Sequence, residues 1–345
     1  MKKNNPFAIT FGLKPDNYIS RLSQSDEIIT TFENSSVNNV YMITGVRGVG
    51  KTVMLSNIAE HFSTKEDWLV VELIPNMDML DQLASKLYDL SLFNKIFNGK
   101  TFGFSFNGIS FSIKGEKPLT NIVSLIEILF EKVEKKNKKV LICIDEALKN
   151  EHLKIFVQTF QLLLRKKMPI YLLMTGLYNN IYELSNDNSL TFLYRAPKIN
   201  LGPLSIMAIK NSYEGLLNVD DKYAKDLASL TKGYAFAYQL LGYLVYENDY
   251  KSIKKDLLSK FDQYLEENIF YKIWSELSEK DKVVLFSFDH DIAKVETIMD
   301  KASMPKNIFS TYRDRLIKKG IVISSGRGML EIALPRFYEY VQFKK

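Results

Sequence analysis

At 345 residues the chain exceeds one average domain, and a hydrophobic content of 46% supplies ample apolar surface for buried cores, so two or three compact units are expected and a disordered chain is excluded. No apolar run reaches the roughly 18–20 residues that cross a bilayer, and the opening MKKNNPFAITFGL has neither an adequate apolar core nor a small-residue cleavage site, so no membrane partner and a cytoplasmic location are expected. The formal charge of +6 is modest, and the single cysteine, Cys143, lies in the apolar run VLICID, which leaves no disulfide or Cys zinc site and predicts a buried thiol.

In chain order, five short apolar runs come first: VYMIT (40–44), WLVVEL (68–73), KVLICID (139–145), IYLLMT (170–175) and KINL (198–201). Each leads toward a helical pattern, and this alternation predicts an α/β domain with a parallel five-stranded sheet and helices on both faces. Between the second and third runs, TFGFSFNGISFSIKG (101–115) sets Phe102, Phe104 and Phe106 against Ile109, Phe111 and Ile113 across Asn107-Gly108. An Asn-Gly pair favours a tight type I′ turn, so an inserted β-hairpin is expected, its apolar side packed on the domain or offered to a partner. From 205 to 275 helical periods alone predict a helical lid domain, and from 276 three helical patterns precede two short β arms. The expected domains are therefore 1–204, 205–275 and 276–345.

The first run opens directly into Gly45, Val46, Arg47, Gly48, Val49, Gly50, Lys51 and Thr52, a GxxxxGK[ST] phosphate loop, and then into a helical pattern that starts with Thr52 and Val53. Strand before and helix after are what such a loop requires. Successive N–H groups can curl around the β- and γ-phosphates, Lys51 can reach the terminal phosphates, and the Thr52 hydroxyl can bind Mg²⁺. The third run ends in Asp145-Glu146, where Asp145 suits the hydration shell of Mg²⁺ and Glu146 suits a general base for an attacking water. An acidic pair after a buried strand is otherwise a helix cap. Thr175, ending the fourth run, either orients the water or contacts the γ-phosphate, or else is a turn residue, and Arg195, ahead of the fifth, is either an arginine finger for a neighbouring subunit or a surface ion pair. The expected cofactors are ATP and Mg²⁺. His61, His152 and His290 show no ligand spacing, so no further catalytic metal is expected. A small-molecule kinase is the remaining chemistry, against which stand the acidic pair and a terminal domain that a small kinase does not need.

These residues, in this order, resemble the AAA+ and STAND-type P-loop ATPases of the ASCE class, and among them the origin-recognition-like group and the archaeal-type ATP-binding proteins with a carboxyl-terminal winged helix. The resemblance covers nearly the whole chain. NPFAITFG (5–12) with Ser20-Arg21 is similar to the group's adenine-side segment, which ends in Gly-Arg, and implies an adenine contact for Arg21. LGPL (201–204) is similar to the linker into the lid, and TKGYAFAYQLLG (231–242) to the start of the sensor 2 helix. The sensor arginine is absent there, and Ala235 stands where STAND proteins have the proline of Gly-x-Pro, which implies a slow switch rather than a fast motor.

The carboxyl-terminal region resembles a winged helix-turn-helix. From Lys301 to Arg327 seven basic residues accompany one acid, Asp314. In PKNIFSTYRDRLIKKG, Pro305 opens a helix, Ile308, Tyr312, Leu316 and Ile317 recur at burial spacing, and Gly320 stops it. The other faces present Lys306, Asn307, Ser310, Thr311, Arg313 and Arg315, types that contact phosphates and base edges of double-stranded DNA, and Arg327 lies at a glycine-bearing hairpin tip suited to a wing. The expected function is thus an ATP-hydrolysing switch that binds DNA under nucleotide control. The alternative is a STAND-like signalling or scaffold ATPase that forms a homo-oligomer with ATP and docks a protein partner; a degenerate, non-hydrolysing regulator is a third reading, opposed by the intact Lys51, Thr52, Asp145 and Glu146.

Overall fold

The computed structural model describes residues 4–10, 12, 14–34, 38–89 and 121–345, so the expected hairpin at 101–115 lies outside the described residues. The chain divides into two compact units: Leu22–Thr44 with Met54–Ile199, and Met1–Arg21 with Gly45–Val53 and Asn200–Lys345.

The first unit is built on the sheet. β1 (Val40–Thr44), β2 (Trp68–Glu72), β3 (Lys139–Ile144), β4 (Ile170–Gly176) and β5 (Lys198–Asn200) lie in the order β2-β3-β4-β1-β5. β4 is parallel to both β3 and β1, with Ile144 opposite Met174 and Thr44 opposite Gly176, so the carboxyl ends of three strands stand side by side. The strands read as continuous apolar runs because both faces are covered. On one face Val40, Met42, Ile142, Ile144, Leu172 and Met174 pack with Leu83, Ile126, Phe130, Phe156, Phe160 and Ile181 from α3 (Met79–Asp89), α4 (Ile122–Lys135), α5 (Glu151–Arg165) and α6 (Tyr178–Ser185). On the other, Tyr41 and Tyr171 meet Phe32 of α1 (Leu22–Asn34), with ring centroids 5.6 and 5.3 Å away. Phe62, near the end of α2 (Lys51–Ser63), adds a ring 4.2 Å from Trp68. Asn121 and Asn150 cap α4 and α5 by accepting from Val123 and Leu153 N–H, which fixes where those helices begin. Cys143 is buried as expected, and burial raises its thiol pKa far from the reactive range.

A short α7 (Thr191–Arg195) belongs to the first unit, and the second continues after β5 with α8 (Ile206–Leu217), α9 (Asp221–Leu230), α10 (Ala235–Asn248), α11 (Lys255–Leu265), a π-helical turn (Glu266–Phe270) and α12 (Tyr271–Ser275). α10 is buried almost all round, from Phe236 to Val245, which is why its sequence is apolar on every face. The amino-terminal segment docks on it: Phe7 lies 5.8 Å from Tyr213 and 5.6 Å from Tyr238, and Gln239 accepts from Ala8 N–H while donating to Asn17 O.

The carboxyl-terminal part runs α13 (Glu279–Phe286), β6 (Ile292–Lys294), α14 (Val295–Ala302), α15 (Lys306–Lys318), β7 (Val322–Gly326), β8 (Met329–Ile332) and α16 (Phe337–Phe343), with an antiparallel sheet ordered β6-β8-β7. Three helices and two β arms were expected; β6 and α16 are additions. The buried stripe of α15 also differs from expectation. Phe309 and Leu316 are its fully buried residues, whereas Ile308, Tyr312 and Ile317 are only partly covered, because packing turns the face carrying Phe309 and Leu316 inward. Lys232 ties this region to the bundle, its ammonium reaching Asp291 and Glu331.

Candidate nucleotide site

The phosphate loop leaves β1 at Thr44 and enters α2 at Lys51, the strand-loop-helix order that the motif requires. Gly48 and Gly50 have φ of +77° and +98°, angles an L side chain adopts only under strain. At Gly48 space also forbids a side chain, since a Cβ would collide with the Tyr234 hydroxyl. Lys51 folds back over the loop, its ammonium donating to Gly45 O at 3.0 Å and Val46 O at 3.1 Å. Arg47, half-exposed, lies 3.6 Å from Glu276, and Val46 is approached by Gly320.

Three donors from distant sequence close on the loop carbonyls. The Arg21 guanidinium donates to Val49 O at 3.0 Å, the Tyr234 hydroxyl to Arg47 O, and Phe236 N–H to Gly48 O at 3.0 Å. Arg21 is therefore brought to the phosphate loop, and partial burial lowers its pKa. Tyr234 and Phe236 were not singled out in the sequence. Their signal was the glycine-aromatic start of TKGYAFAYQLLG, legible only as a helix start without its arginine.

At the carboxyl edge of the sheet, the ends of β3 and β4 bring together Asp145, Glu146 and Thr175. The Thr175 hydroxyl donates to Asp145 Oδ1, while Glu146 N–H reaches Asp145 Oδ1 at 3.0 Å and Thr175 Oγ1 at 3.3 Å. Ala147 N–H donates to Thr175 O at 2.7 Å, locking the two strand ends. Thr175 is fully buried, Asp145 half-buried and Glu146 exposed, so Glu146 faces solvent and the other two hold it in place. Its backbone sits at φ +53°, an uncommon left-handed conformation for glutamate. Arg195 is exposed at the end of α7.

The α15 face is less free than its sequence suggests. Arg313 lies on Asp314 at 2.8 Å, Arg315 on the buried Asp281 at 2.7 Å, Lys319 within 3.7 Å of that same carboxylate, and Lys301 on Asp289 at 3.2 Å. Lys306, Asn307, Thr311, Lys318 and Arg327 are exposed and Ser310 partly so; Lys306, Lys318 and Arg327 make no ion pair among the described residues.

The sheet order and the loop define the class: this is the fold of a P-loop ATPase of the AAA+ type. Residues 26–183 match the model of an ATPase domain predominantly from Archaea. Residues 267–341 match a domain of unknown function (DUF8462). No curated protein matches the sequence. Among solved structures, 97% of the chain is similar to 95% of the ORC2 protein of Aeropyrum pernix (ADPNP-ADP complexes), at 12% identity and a TM-score of 0.59. The Walker-type ATPase PABY2304 of Pyrococcus abyssi is similar over 94% of this chain and 95% of its own, at 14% identity and a TM-score of 0.59. Cdc6p from Pyrobaculum aerophilum follows at 97% and 96% coverage, 15% identity and a TM-score of 0.50. At these identities the likeness is one of fold.

Proposed function

We propose that the protein is a slow ATPase whose nucleotide state governs binding of double-stranded DNA by its carboxyl-terminal region, read as a winged helix. The observation that carries the hydrolytic part is the hydrogen-bonded trio of Asp145, Glu146 and Thr175, in a chain whose β1 opens into a complete phosphate loop. The donor set fits ATP with Mg²⁺: glycines free the loop backbone, Lys51 supplies a cation, and Thr52 and Asp145 supply hard oxygen ligands. Bound Mg²⁺ would neutralise charge on the phosphates. Glu146 takes the proton of the attacking water, Thr175 holds the Asp145 carboxylate and the Glu146 backbone in register, and the loop from Gly45 to Val53 holds the phosphates. Arg195, exposed, is offered to the γ-phosphate of a neighbouring copy in an ATP-dependent homo-oligomer. The similar ORC2 structure of A. pernix carries ADPNP and ADP, which supports an adenine nucleotide here. The reading retains the domain limits 1–204, 205–275 and 276–345 and a cytoplasmic setting.

For DNA, the support is the exposed row Lys306, Asn307, Thr311 and Lys318 with Arg327 at the β7-β8 tip. The pairing of Lys301, Arg313, Arg315 and Lys319 with carboxylates favours a second reading, in which this face docks a protein partner.

Calorimetry with ATP and Mg²⁺ tests the core of the proposal. Wild type binds, Lys51→Ala loses binding, and Glu146→Gln keeps binding while hydrolysis slows by about 10²–10⁴-fold. Absence of heat with folded wild-type protein ends the reading, and normal turnover by Glu146→Gln removes Glu146 as the base.

A further inference from the structure

Five consecutive carbonyls of the phosphate loop each have a donor. Gly45 O and Val46 O take the Lys51 ammonium, Arg47 O takes the Tyr234 hydroxyl, Gly48 O takes Phe236 N–H, and Val49 O takes the Arg21 guanidinium. In a planar trans peptide a carbonyl and the following N–H point in opposite directions. Holding a carbonyl on one side therefore turns the next N–H to the other. The Tyr234 bond on Arg47 O acts in this way on Gly48 N–H, and the Arg21 bond on Val49 O on Gly50 N–H. Val49 N–H is the exception, since it is taken within the loop by Val46 O at 3.3 Å.

We propose that Tyr234 is a positioning residue for the phosphate site: its hydroxyl fixes the Arg47–Gly48 peptide so that Gly48 N–H is preset to receive an anionic phosphate oxygen beyond the α-phosphate. This deepens the ATPase reading and rests on it. Several features of the structure converge on the same peptide. Tyr234 is 3% exposed and caps α10, so its ring has one place to go. The next helical amide, Phe236 N–H, holds the adjacent carbonyl, so the start of α10 grips both sides of Gly48. Gly48 itself admits that grip only because it lacks a Cβ, which would strike the hydroxyl. Burial pushes the Tyr234 phenol well above its ordinary pKa, which keeps the donating proton in place across the physiological range. The lid helix, which has no arginine to offer a phosphate, thus acts on the nucleotide through the loop backbone.

The test is Tyr234→Phe, which keeps the ring and removes the donor. Affinities for ATP·Mg²⁺, ADP·Mg²⁺ and AMP are measured by calorimetry, AMP as a competitor of ADP. The variant is expected to bind ATP and ADP about tenfold more weakly while AMP changes less than about twofold, because one hydrogen bond's worth of preorganisation is lost only where Gly48 N–H is used. An unchanged ratio of AMP to ADP affinity overturns the proposal, whether all three affinities hold or all fall together, the latter being what a merely structural tyrosine gives. Amide exchange in wild type is the second measurement and does not depend on the variant folding: Gly48 N–H protected by ADP·Mg²⁺ supports the proposal, and Gly48 N–H unprotected in the bound protein overturns it. Wild type that binds neither ATP nor ADP fells the ATPase reading and this proposal with it, a result distinct from a binding wild type with an unmoved variant.

Discussion

The Arg315 guanidinium closes on the carboxylate of Asp281, Nε donating to Oδ1 at 2.9 Å, while the Asp281 side chain is wholly buried. Asp281 also completes a reciprocal cap with Ser278, accepting from its backbone N–H at 3.0 Å and donating its own N–H to Ser278 Oγ at 3.2 Å. A buried carboxylate that loses its cation is left charged in a poorly solvated site. Arg315→Ala is therefore expected to lower unfolding stability by about 2–3 kcal/mol, with the 3.7 Å approach of Lys319 limiting the loss. Urea titration checks it. A stability change below about 0.5 kcal/mol, the usual size for an exposed pair, would return Arg315 to the set of surface cations.

With Arg315 committed to the fold, the number of cations available to nucleic acid falls. Lys306, Lys318 and Arg327 are exposed without an ion pair among the described residues. If these three meet phosphates, log K against log[salt] has a slope of about −2.7, shallower than the value of about −3.6 that the four cations of the sequence reading, Lys306, Arg313, Arg315 and Arg327, imply. Arg327→Ala is expected to reduce the slope by about 1 and to leave ATP affinity unaltered. Band-shift titrations across a salt series read both quantities, and a flat series points to protein docking instead.

The sheet and the phosphate loop were legible because their determinants are local. Strands buried on both faces must be continuous apolar runs, and VYMIT, KVLICID and IYLLMT coincide with β1, β3 and β4 within a residue at their ends. Asp145 and Glu146 were visible for the same reason, since position at the end of a buried strand places them. What escaped was set by tertiary contact. β6 is three residues long, Ile292–Lys294, and exists only because β8 pairs with it. The choice of Phe309 over Ile308 as the buried residue of α15 depends on how that helix is rotated, which periodicity leaves open to within one position. The grip of Tyr234 on Arg47 O joins residues 187 positions apart, and no spacing rule reaches that far.

Thr175 Oγ1 stands between Asp145 and the Glu146 backbone, donating to the Asp145 carboxylate and accepting from Glu146 N–H. Thr175→Val keeps the volume and removes both bonds. Turnover is expected to fall by about 10–100-fold with ATP affinity retained, because the change touches the alignment of the base rather than the phosphate cradle. Single-turnover hydrolysis with a parallel binding curve separates the two. An unchanged rate would mark Thr175 as a turn residue only.

Glu146 carries its carboxylate from a left-handed backbone, φ +53°, which asparagine tolerates better than glutamate. Glu146→Asn should therefore raise stability by about 0.5 kcal/mol while hydrolysis is lost, the trade expected where a site holds strain for function. A thermal melt without nucleotide gives the first quantity and phosphate release the second. A variant less stable than wild type would show that the neighbouring contacts, such as Ala147 N–H to Thr175 O at 2.7 Å, need the glutamate in place.

The amino-terminal segment is held on α10 by Phe7, whose ring passes so close to Gly242 that an added Cβ would lie 2.5 Å from Cε1 and 2.6 Å from Cδ1. Phe7 is 3% exposed and wedged beside Tyr213 and Tyr238, so it has little room to retreat. Gly242→Ala is expected to cost about 1–3 kcal/mol and to loosen residues 4–21 without abolishing the sheet. Because Arg21 at the end of that segment donates to Val49 O, the same variant should weaken ATP binding several-fold. Limited proteolysis reads the loosened segment and calorimetry the affinity; proteolysis that quickens while affinity holds would show that Arg21 keeps its place on the loop without the docking of Phe7.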